Sequence, residues 1–299
     1  MKPKRLIPMT TVNHSQITRT IRWVSATDPA NAGILAELQR RMADYYATNG
    51  EYYEQIDTSK GYWATDVSYA EILRQAERSN QILEIGCGRA NLLSHAPQLA
   101  ARYTGIDFSS KLMEQNQELY PEACFCPIKS STRFPVESAM YDLVFSVWVI
   151  EHTVYPHLFL DECCRVLRPG GVLVILCPDY LGSGRMASQR AGFSAGTGRE
   201  KLRRGAVLDA LVTGWDQKVV IPGRCQSWRR AIGDGSAFLV NTRPVCFTDP
   251  FLPDVDAVYV TYAAEMIAYL RGRIQLESSS ALRAEDRRIF LVGRKEEQC

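Results

Sequence analysis

The chain has 299 residues, 46% of them hydrophobic and 23% charged, and a formal net charge of +2. This length suits one large domain with an insertion, and the composition is that of an ordinary globular protein. The near-neutral balance argues against a molecule that binds polyanions over its whole surface. The basic first residues lack the apolar core of a signal peptide, and no apolar run approaches the roughly 18 residues of a membrane span. We therefore expect a cytoplasmic protein without a membrane span.

The nine cysteines do not form paired CxxC units. Cys124 and Cys126, and the adjacent Cys163 and Cys164, are too close in the chain for a standard zinc site. Several cysteines lie in apolar segments, which is typical of reduced, buried thiols. We expect no metal site.

The first 80 residues predict two helices around an aromatic segment. Residues 31–46 carry apolar side chains at helical spacing, and a second helix is predicted at about 67–78. Between them, residues 45–63 are rich in tyrosine. This segment either packs a helix onto the domain or forms a lid over a ligand.

From Gln81 the chain alternates strand, loop and helix. Apolar strands separated by helices need crossover connections, so the pattern predicts a doubly wound, mostly parallel sheet. The predicted strands are 81–85, 103–106, 124–128, 141–147 and 171–177, and the predicted helices are about 90–100, 109–118 and 156–167. Near the end we predict a strand at 257–260, a helix at 262–271 and a last strand at 287–293.

Residues 180–250 interrupt this alternation and are rich in Gly, Arg and Ser, with a helix predicted at about 199–213. The basic segments 199–204 and 224–230 have three interpretations: a solvated helix face, a site for an anionic small molecule, or a contact with RNA. If the segment is a solvated helix face, four apolar side chains should face the interior, namely Leu202, Val207, Leu208 and Leu211.

The strongest functional motif is the apolar strand that runs directly into a glycine loop, Ile82-Leu-Glu-Ile-Gly-Cys-Gly-Arg-Ala-Asn91. Gly86 and Gly88 allow a tight turn and a close approach of a ligand to the backbone. Asp107, at the end of the next predicted strand, suits the paired hydroxyls of a ribose.

The charge around this loop separates two classes of ligand. A dinucleotide loop has a third glycine, but Asn91 stands at that position. Glu84, two residues before the first glycine, would repel a pyrophosphate and attract a cation. S-adenosylmethionine (SAM) carries a sulfonium and an ammonium group, so the residues favour SAM over NAD and a methyl transfer over a nicotinamide oxidoreduction.

Five ordered segments carry a family resemblance. The segments are Leu83-Glu-Ile-Gly-Cys-Gly88, Tyr103-Thr-Gly-Ile-Asp-Phe-Ser109, Tyr141-Asp-Leu-Val-Phe-Ser146, Val149-Ile-Glu-His152 and Val166-Leu-Arg-Pro-Gly-Gly171. Over about residues 80–180, they are similar to the successive motifs of class I SAM-dependent methyltransferases, and they resemble most the UbiE-like, type 11 group.

The resemblance implies a fold and a division of the chain. The fold is an α/β, Rossmann-like, doubly wound sheet of seven mostly parallel strands with a C-terminal antiparallel strand, plus an inserted cap. Residues 80–179 and 251–299 would form the SAM-binding domain. Residues 1–79 would be an N-terminal helical lid, and residues 180–250 an inserted cap that selects the substrate.

The resemblance also assigns roles around the cofactor. Asp107 would bind the ribose hydroxyls, and Phe108 and Met113 would pack near the adenine. Because no acid follows the third predicted strand, Ser130 or a backbone group would read the adenine. Other expected cofactor contacts are Glu84, Gly86, Cys87 and Gly88 at the methionine half, Ser146, Val147 and Trp148 at the floor, and Tyr53 and Trp63 in the lid.

Two residues are candidates for the chemistry. His152 follows the fourth predicted strand at the carboxyl edge of the sheet, where such sheets bind ligands. It is either a general base or a structural histidine of the loop. Tyr180, at the end of the fifth strand, is a candidate substrate contact.

Together these features predict an enzyme that transfers a methyl group from SAM to a small molecule, more readily at oxygen than at nitrogen or carbon, and releases S-adenosylhomocysteine (SAH). The alternatives are a methyltransferase acting on RNA or protein, and a SAM-binding protein without catalysis. The sequence does not identify the acceptor, the methylated atom or the oligomeric state.

Overall fold

The computed structural model describes residues 22–48, 62–184, 186, 191, 196–233, 235–244, 246, 256–277 and 287–297. Its centre is a seven-stranded sheet in the order β4-β3-β2-β5-β6-β9-β8. The strands are β2 (Ile82–Ile85), β3 (Tyr103–Asp107), β4 (Cys124–Pro127), β5 (Tyr141–Val147), β6 (Leu167–Pro178), β8 (Ile274–Leu276) and β9 (Arg288–Lys295).

The first five strands of this sheet are parallel, and β9 runs antiparallel to both β6 and β8. Strands β2 and β3 are buried along their whole length, as expected of a parallel sheet covered on both faces. The predicted α/β fold with a C-terminal antiparallel strand is therefore confirmed. Since the strand order reverses between β2 and β5, the carboxyl ends of these strands open a crevice there.

Helices lie on both sides of the sheet and in residues 180–232. They are α1 (Ala32–Thr48), α2 (Tyr62–Thr65), α3 (Val67–Glu77), α4 (Asn91–His95), α5 (Ser110–Leu119), α6 (Pro156–Val166), α7 (Tyr180–Ser183), α8 (Gly198–Arg203), α9 (Val207–Trp215), α10 (Ile221–Ile232) and α11 (Ala263–Leu270). None of the helices in the described ranges is both long enough and apolar enough to cross a membrane.

Two predicted helices are divided. The helix predicted at about 90–100 ends at His95, and a 3-10 helix starts at Pro97, which cannot donate the next helical hydrogen bond. The helix predicted at 199–213 is broken at Gly205, a residue type that favours helix ends. From Val207 the chain then continues as one helix to Ile232 through a π-helical segment, Asp216–Val220.

The prediction of a sheet strand at 257–260 is wrong. This segment forms one antiparallel bridge, between Tyr259 and Val240, beside a separate two-stranded sheet of β1 (Trp23–Ser25) and β7 (Leu239–Asn241). The strand that completes the central sheet is β8, whose residues alternate between buried and solvent-facing positions at the sheet edge. The apolar run at 257–260 is buried in this separate packing instead.

The prediction that Leu202, Val207, Leu208 and Leu211 face the interior is also wrong. Each of these side chains is more than half exposed. The buried positions of α9 are Ala210 and Thr213, so the helix packs through small side chains.

Glu265 fixes the small sheet to the main domain. Its carboxylate accepts hydrogen bonds from the N–H groups of Ala237 and Phe238, at 2.7 and 2.8 Å, and from the hydroxyl of Tyr259 at 2.9 Å. Its side chain is buried, so these three donors replace the water that the carboxylate loses.

Replacement of Glu265 by Ala should lower the free energy of unfolding by about 3 kcal/mol, because three buried donors lose their acceptor. Urea denaturation followed by circular dichroism measures the change. Glu122→Ala, at an exposed position, is the control and should stay within about 0.5 kcal/mol of the wild type. Equal stability of the two variants would contradict this role.

Candidate active site

The loop after β2 turns sharply at two glycines. Gly86 has φ +70°, and a Cβ added there would lie 2.4 Å from Val149 Cγ2, so no larger residue fits. Gly88 has φ +49°, but an added Cβ would meet no atom within 4 Å. The space beside Gly86 is therefore filled by Val149, whereas the space beside Gly88 is open.

Asp107 holds this loop in place. One carboxylate oxygen accepts from the N–H of Gly88 at 3.0 Å, and the other accepts from the N–H of Ser109 at 3.2 Å. Asn116 adds a bond from its side-chain amide to the Gly88 carbonyl at 2.8 Å. Asp107 thus joins the loop after β2 to the loop after β3.

Glu84 is a buried acid beneath the loop. Its carboxylate accepts from the Tyr103 hydroxyl at 2.5 Å. Burial, reinforced by the nearby charge of Asp107 and opposed by the Tyr103 bond, raises the pKa of Glu84 to about 8. The carboxyl is mostly protonated at neutral pH, and a cation beside it would favour its ionised form.

Cys87 and Met113 lie behind the loop rather than in front of it. Both side chains are buried, and Cys87 Sγ is 3.8 Å from Met113 Sδ. Burial and the charges of Asp107 and Glu84 raise the pKa of the Cys87 thiol well above its usual value. The thiol is therefore an inert packing group, and any contribution of Cys87 to a ligand comes from its backbone.

The floor of the crevice lies at the end of β5. Ser146 is buried, and within the described ranges its hydroxyl has no hydrogen-bond partner. Val147 and Trp148 are half-buried, and the Trp148 indole donates to the Tyr69 hydroxyl at 2.9 Å. Trp63 packs edge-on against the same Tyr69 ring, with 4.9 Å between ring centroids. Tyr69 thus holds two predicted site residues that are far apart in sequence.

Ser130 follows β4, as predicted, but its hydroxyl is engaged locally. It lies 2.8 Å from the Thr132 hydroxyl and accepts from the Thr132 N–H at 3.1 Å. Tyr53 lies outside the described residues.

Four side chains lie together next to the end of β3: Phe108, Tyr46, Asp256 and His152. We call them the acid–histidine cluster. The ring of Phe108 stacks on Tyr46, with 6.0 Å between centroids. The Tyr46 hydroxyl donates to Asp256 Oδ2 at 2.8 Å, and His152 Nδ1 lies 3.2 Å from the same oxygen. Asp256 is only 1% exposed, whereas the His152 side chain is 18% exposed.

The main chain puts Asp256 in this place. The carbonyl oxygen of Glu151 accepts from the N–H groups of Val258 and Tyr259, at 2.8 and 2.9 Å. The segment that carries Asp256 is thereby bound to the loop that carries His152. Sequence reasoning missed both Asp256 and Tyr46, because no spacing rule joins positions 46, 152 and 256.

Tyr180 lies elsewhere. Its side chain is buried in an apolar cluster with Leu181, Ile221 and Val260, beneath α10. The structure thus brings together the predicted glycine loop and Asp107, places Phe108 and His152 in one cluster around Tyr46, and places Tyr180 against α10.

Comparison with known families gives one match to this region. Residues 83–175 match the profile of the type 11 methyltransferase family, described as a methyltransferase domain. The match begins in β2 and ends in β6, so it covers the crevice but neither the cap nor Asp256.

Curated relatives match the same part of the chain. A probable SAM-dependent methyltransferase of Mycolicibacterium smegmatis is 29% identical over 126 residues, which cover 41% of this chain and 48% of that protein. A ubiquinone biosynthesis O-methyltransferase of Maricaulis maris is 29% identical over 31% of this chain and 39% of its own length. A demethylmenaquinone methyltransferase of Chlamydia trachomatis is 35% identical over 33% and 44%. The chain thus spans less than half the length of these relatives.

Among solved structures, a 1,6-didemethyltoxoflavin-N1-methyltransferase of Burkholderia thailandensis aligns over 91% of this chain and 92% of its own, with 13% identity and a TM-score of 0.49. The family match and the relatives agree on the domain, and the strand order fits it. Residues 83–175 therefore carry the methyltransferase-domain profile of the type 11 family, and the curated SAM-dependent relatives are similar over the same region.

Proposed function

We propose that this protein transfers the methyl group of SAM to an oxygen atom of a small-molecule acceptor, with His152 as the general base. The observation that carries the oxygen specificity is the pairing of His152 Nδ1 with the buried Asp256 carboxylate at 3.2 Å. The name of the Maricaulis maris relative, an O-methyltransferase, agrees with it.

Three features fit SAM in the crevice. The open space before Gly88 admits a ligand close to the backbone. Asp107 lies beside Gly88 at the end of β3, and a carboxylate at this position suits the paired hydroxyls of a ribose. The high pKa of Glu84 indicates a carboxyl that lacks a cation, and the ammonium of SAM is a cation.

When bound, SAM supplies a methyl group already activated by its sulfonium charge, so the protein mainly has to position the acceptor. An acceptor hydroxyl is a weak nucleophile and gains from a base. If His152 Nδ1 donates to Asp256, the lone pair lies on Nε2, which can take the acceptor's proton. Asp256 then stabilises the imidazolium, and Tyr46 holds Asp256 in place through its hydroxyl.

We further propose that residues 1–79 and 180–250 cover the acceptor and select it. Tyr46, near the end of α1, is part of the acid–histidine cluster, and α10 packs over Tyr180. Tyr180 and Trp63 remain candidates for contacts with the bound molecules. Acceptor selection by inserted segments is common, because loops vary while the sheet stays fixed.

The first prediction concerns the cofactor. Calorimetric titration of the full chain should show binding of SAM and SAH and none of NAD. Gly88→Ala should weaken SAM binding at least about tenfold, because its methyl group enters the open space and the left-handed backbone costs about 1–2 kcal/mol. Gly33→Ala, where an added Cβ also meets nothing, is the matched control. Binding of NAD alone would overturn the proposal.

The second prediction concerns Glu84. Its folded pKa of about 8 lies above the ordinary value of 4.5, so the folded state binds more protons than the unfolded state between these values. Stability should therefore fall as pH rises from about 5 to 8. At pH 8, Glu84→Gln, which stays neutral, should have a free energy of unfolding that is roughly 2 kcal/mol or more above that of the wild type, as measured by urea denaturation.

The same variant should bind SAM more weakly, because the negative charge opposite the ammonium is gone. A gain in stability together with a loss in affinity distinguishes a ligand-directed carboxylate from a structural one. Glu122→Gln is the exposed control and should change neither quantity. A Glu84→Gln protein with unchanged SAM affinity would refute the role of this residue.

The third prediction concerns the base. Once a panel of hydroxylated small molecules has given an acceptor, His152→Gln should lower kcat by about 10²–10⁴-fold, while the Kd for SAM stays the same. Asp256→Asn should lower kcat less, because the base remains and only its orientation is lost. His157→Gln, on the neighbouring helix α6, is the control. If His152→Gln retains full activity, His152 is a structural residue of the loop.

A further inference from the structure

One surface of the cap is unusually apolar. Ten large apolar side chains are exposed in the described part of the chain, and six of them lie between positions 202 and 219. Their exposed fractions range from 45 to 78%, for Leu202, Val207, Leu208, Leu211, Trp215 and Val219. Single exposed apolar residues are normal, but a concentrated set marks an interaction surface.

Five of the six, all except Leu202, lie on the helix that begins at Val207. This helix turns small and polar residues inward. Ala210, Thr213 and Asp216 are buried. Leu208, Leu211, Trp215 and Val219, which we call the apolar stripe, follow one another at spacings of three and four residues and lie on one outward face. A helix that served only to cover the domain would bury these four side chains and expose the other three.

The stripe rests on a firm support. Further along the same helix, Ile221 and Cys225 are buried in the cap cluster. On its flank, α8 is joined to α9 by a hydrogen bond from Lys201 Nζ to Thr213 Oγ1 at 2.9 Å. The exposed Leu202 of α8 extends the apolar area beside the stripe.

Charge is concentrated in the same segment. Residues 196–233 contain eight Lys and Arg against three acidic residues, a net charge of +5, whereas the whole chain has +2. Five of these cations are exposed, namely Arg199, Arg203, Arg204, Lys218 and Arg230. The surface therefore combines large apolar side chains with surrounding positive charge.

We propose that the apolar stripe is a docking surface for an anionic lipid bilayer, on which helix 207–220 lies in the plane of the headgroups. An amphipathic helix with Leu, Val and Trp on one face and Lys and Arg around it inserts its apolar face at the headgroup boundary, and the cations attract anionic lipids. A two-fold contact between copies would bring the same cations together. RNA would use the cations but not a stripe of aliphatic side chains.

The test is sedimentation of the full chain with vesicles of phosphatidylcholine alone and of phosphatidylcholine with phosphatidylglycerol at seven to three. The wild type should bind the anionic vesicles, bind the neutral ones weakly and release at high salt. The fluorescence of Trp215, the exposed tryptophan of the described residues, should shift to shorter wavelength on binding, and Trp215→Phe should lose that shift.

Two sets of variants separate the contributions. The double variant Leu208→Asp and Leu211→Asp should weaken binding by about tenfold or more, since two insertable side chains are lost. Arg203→Gln with Arg204→Gln should weaken it about fivefold per cation. Leu119→Asp, at a position that is 66% exposed on α5, is the matched control and should bind like the wild type.

Equal vesicle binding by the wild type and the Leu208/Leu211 variant would overturn the proposal. So would a wild type that does not bind vesicles but forms a dimer in analytical ultracentrifugation, if the same variant is a monomer. A wild type that retains single-stranded RNA and does not bind vesicles would also overturn it. Because the altered side chains are exposed, thermal unfolding should be nearly unchanged. SAM binding by calorimetry should also be unchanged, so a failure of vesicle binding does not bear on the methyl transfer.

Discussion

The carboxylate of Asp107 is the contact on which the crevice depends. Its two oxygens accept from the N–H groups of Gly88 and Ser109, and so join the loop after β2 to the loop after β3. Gly86 can turn because it has no Cβ, and Val149, from the loop after β5, fills the space where a side chain would be. Three loops at one sheet edge thus fix one another. The ribose acceptor that we propose is therefore also a structural brace, and its replacement disturbs the loop as well as the ligand.

The acid–histidine cluster is built by a different principle, because its members come from distant parts of the chain. Backbone hydrogen bonds from Val258 and Tyr259 to the Glu151 carbonyl bring the segment of Asp256 to His152. Glu265 and the β1–β7 sheet hold the same segment from the other side. The base that we propose depends on these long-range contacts, so it is positioned only when helix α1, the central sheet and residues 256–265 are folded together.

This difference explains what the sequence could predict. The sheet and the glycine loop follow from local patterns, since buried parallel strands are continuous apolar runs and a tight ligand loop needs glycine. Asp256 and Tyr46 could not be found, because their roles come from contacts across 210 residues. The error at 257–260 has the same origin: an apolar run of four residues fits a small bridge as well as a sheet strand. The expectation that Leu202, Val207, Leu208 and Leu211 face the interior is wrong because an amphipathic pattern does not show which helix face the rest of the protein covers.

Both parts of the proposed site, the glycine loop and the acid–histidine cluster, contain a buried acid. Glu84 and Asp256 both lie in the interior, where an ionised carboxylate is costly unless a cation or hydrogen bonds compensate. Asp256 accepts a hydrogen bond from the Tyr46 hydroxyl and lies 3.2 Å from His152 Nδ1, so it is placed to orient the base that we propose. Glu84 has one hydroxyl donor and a raised pKa, so its charge is only partly compensated within the chain. In the function that we propose, the ammonium of SAM would supply the missing compensation, and the unfavourable burial of Glu84 would then serve ligand binding rather than the fold.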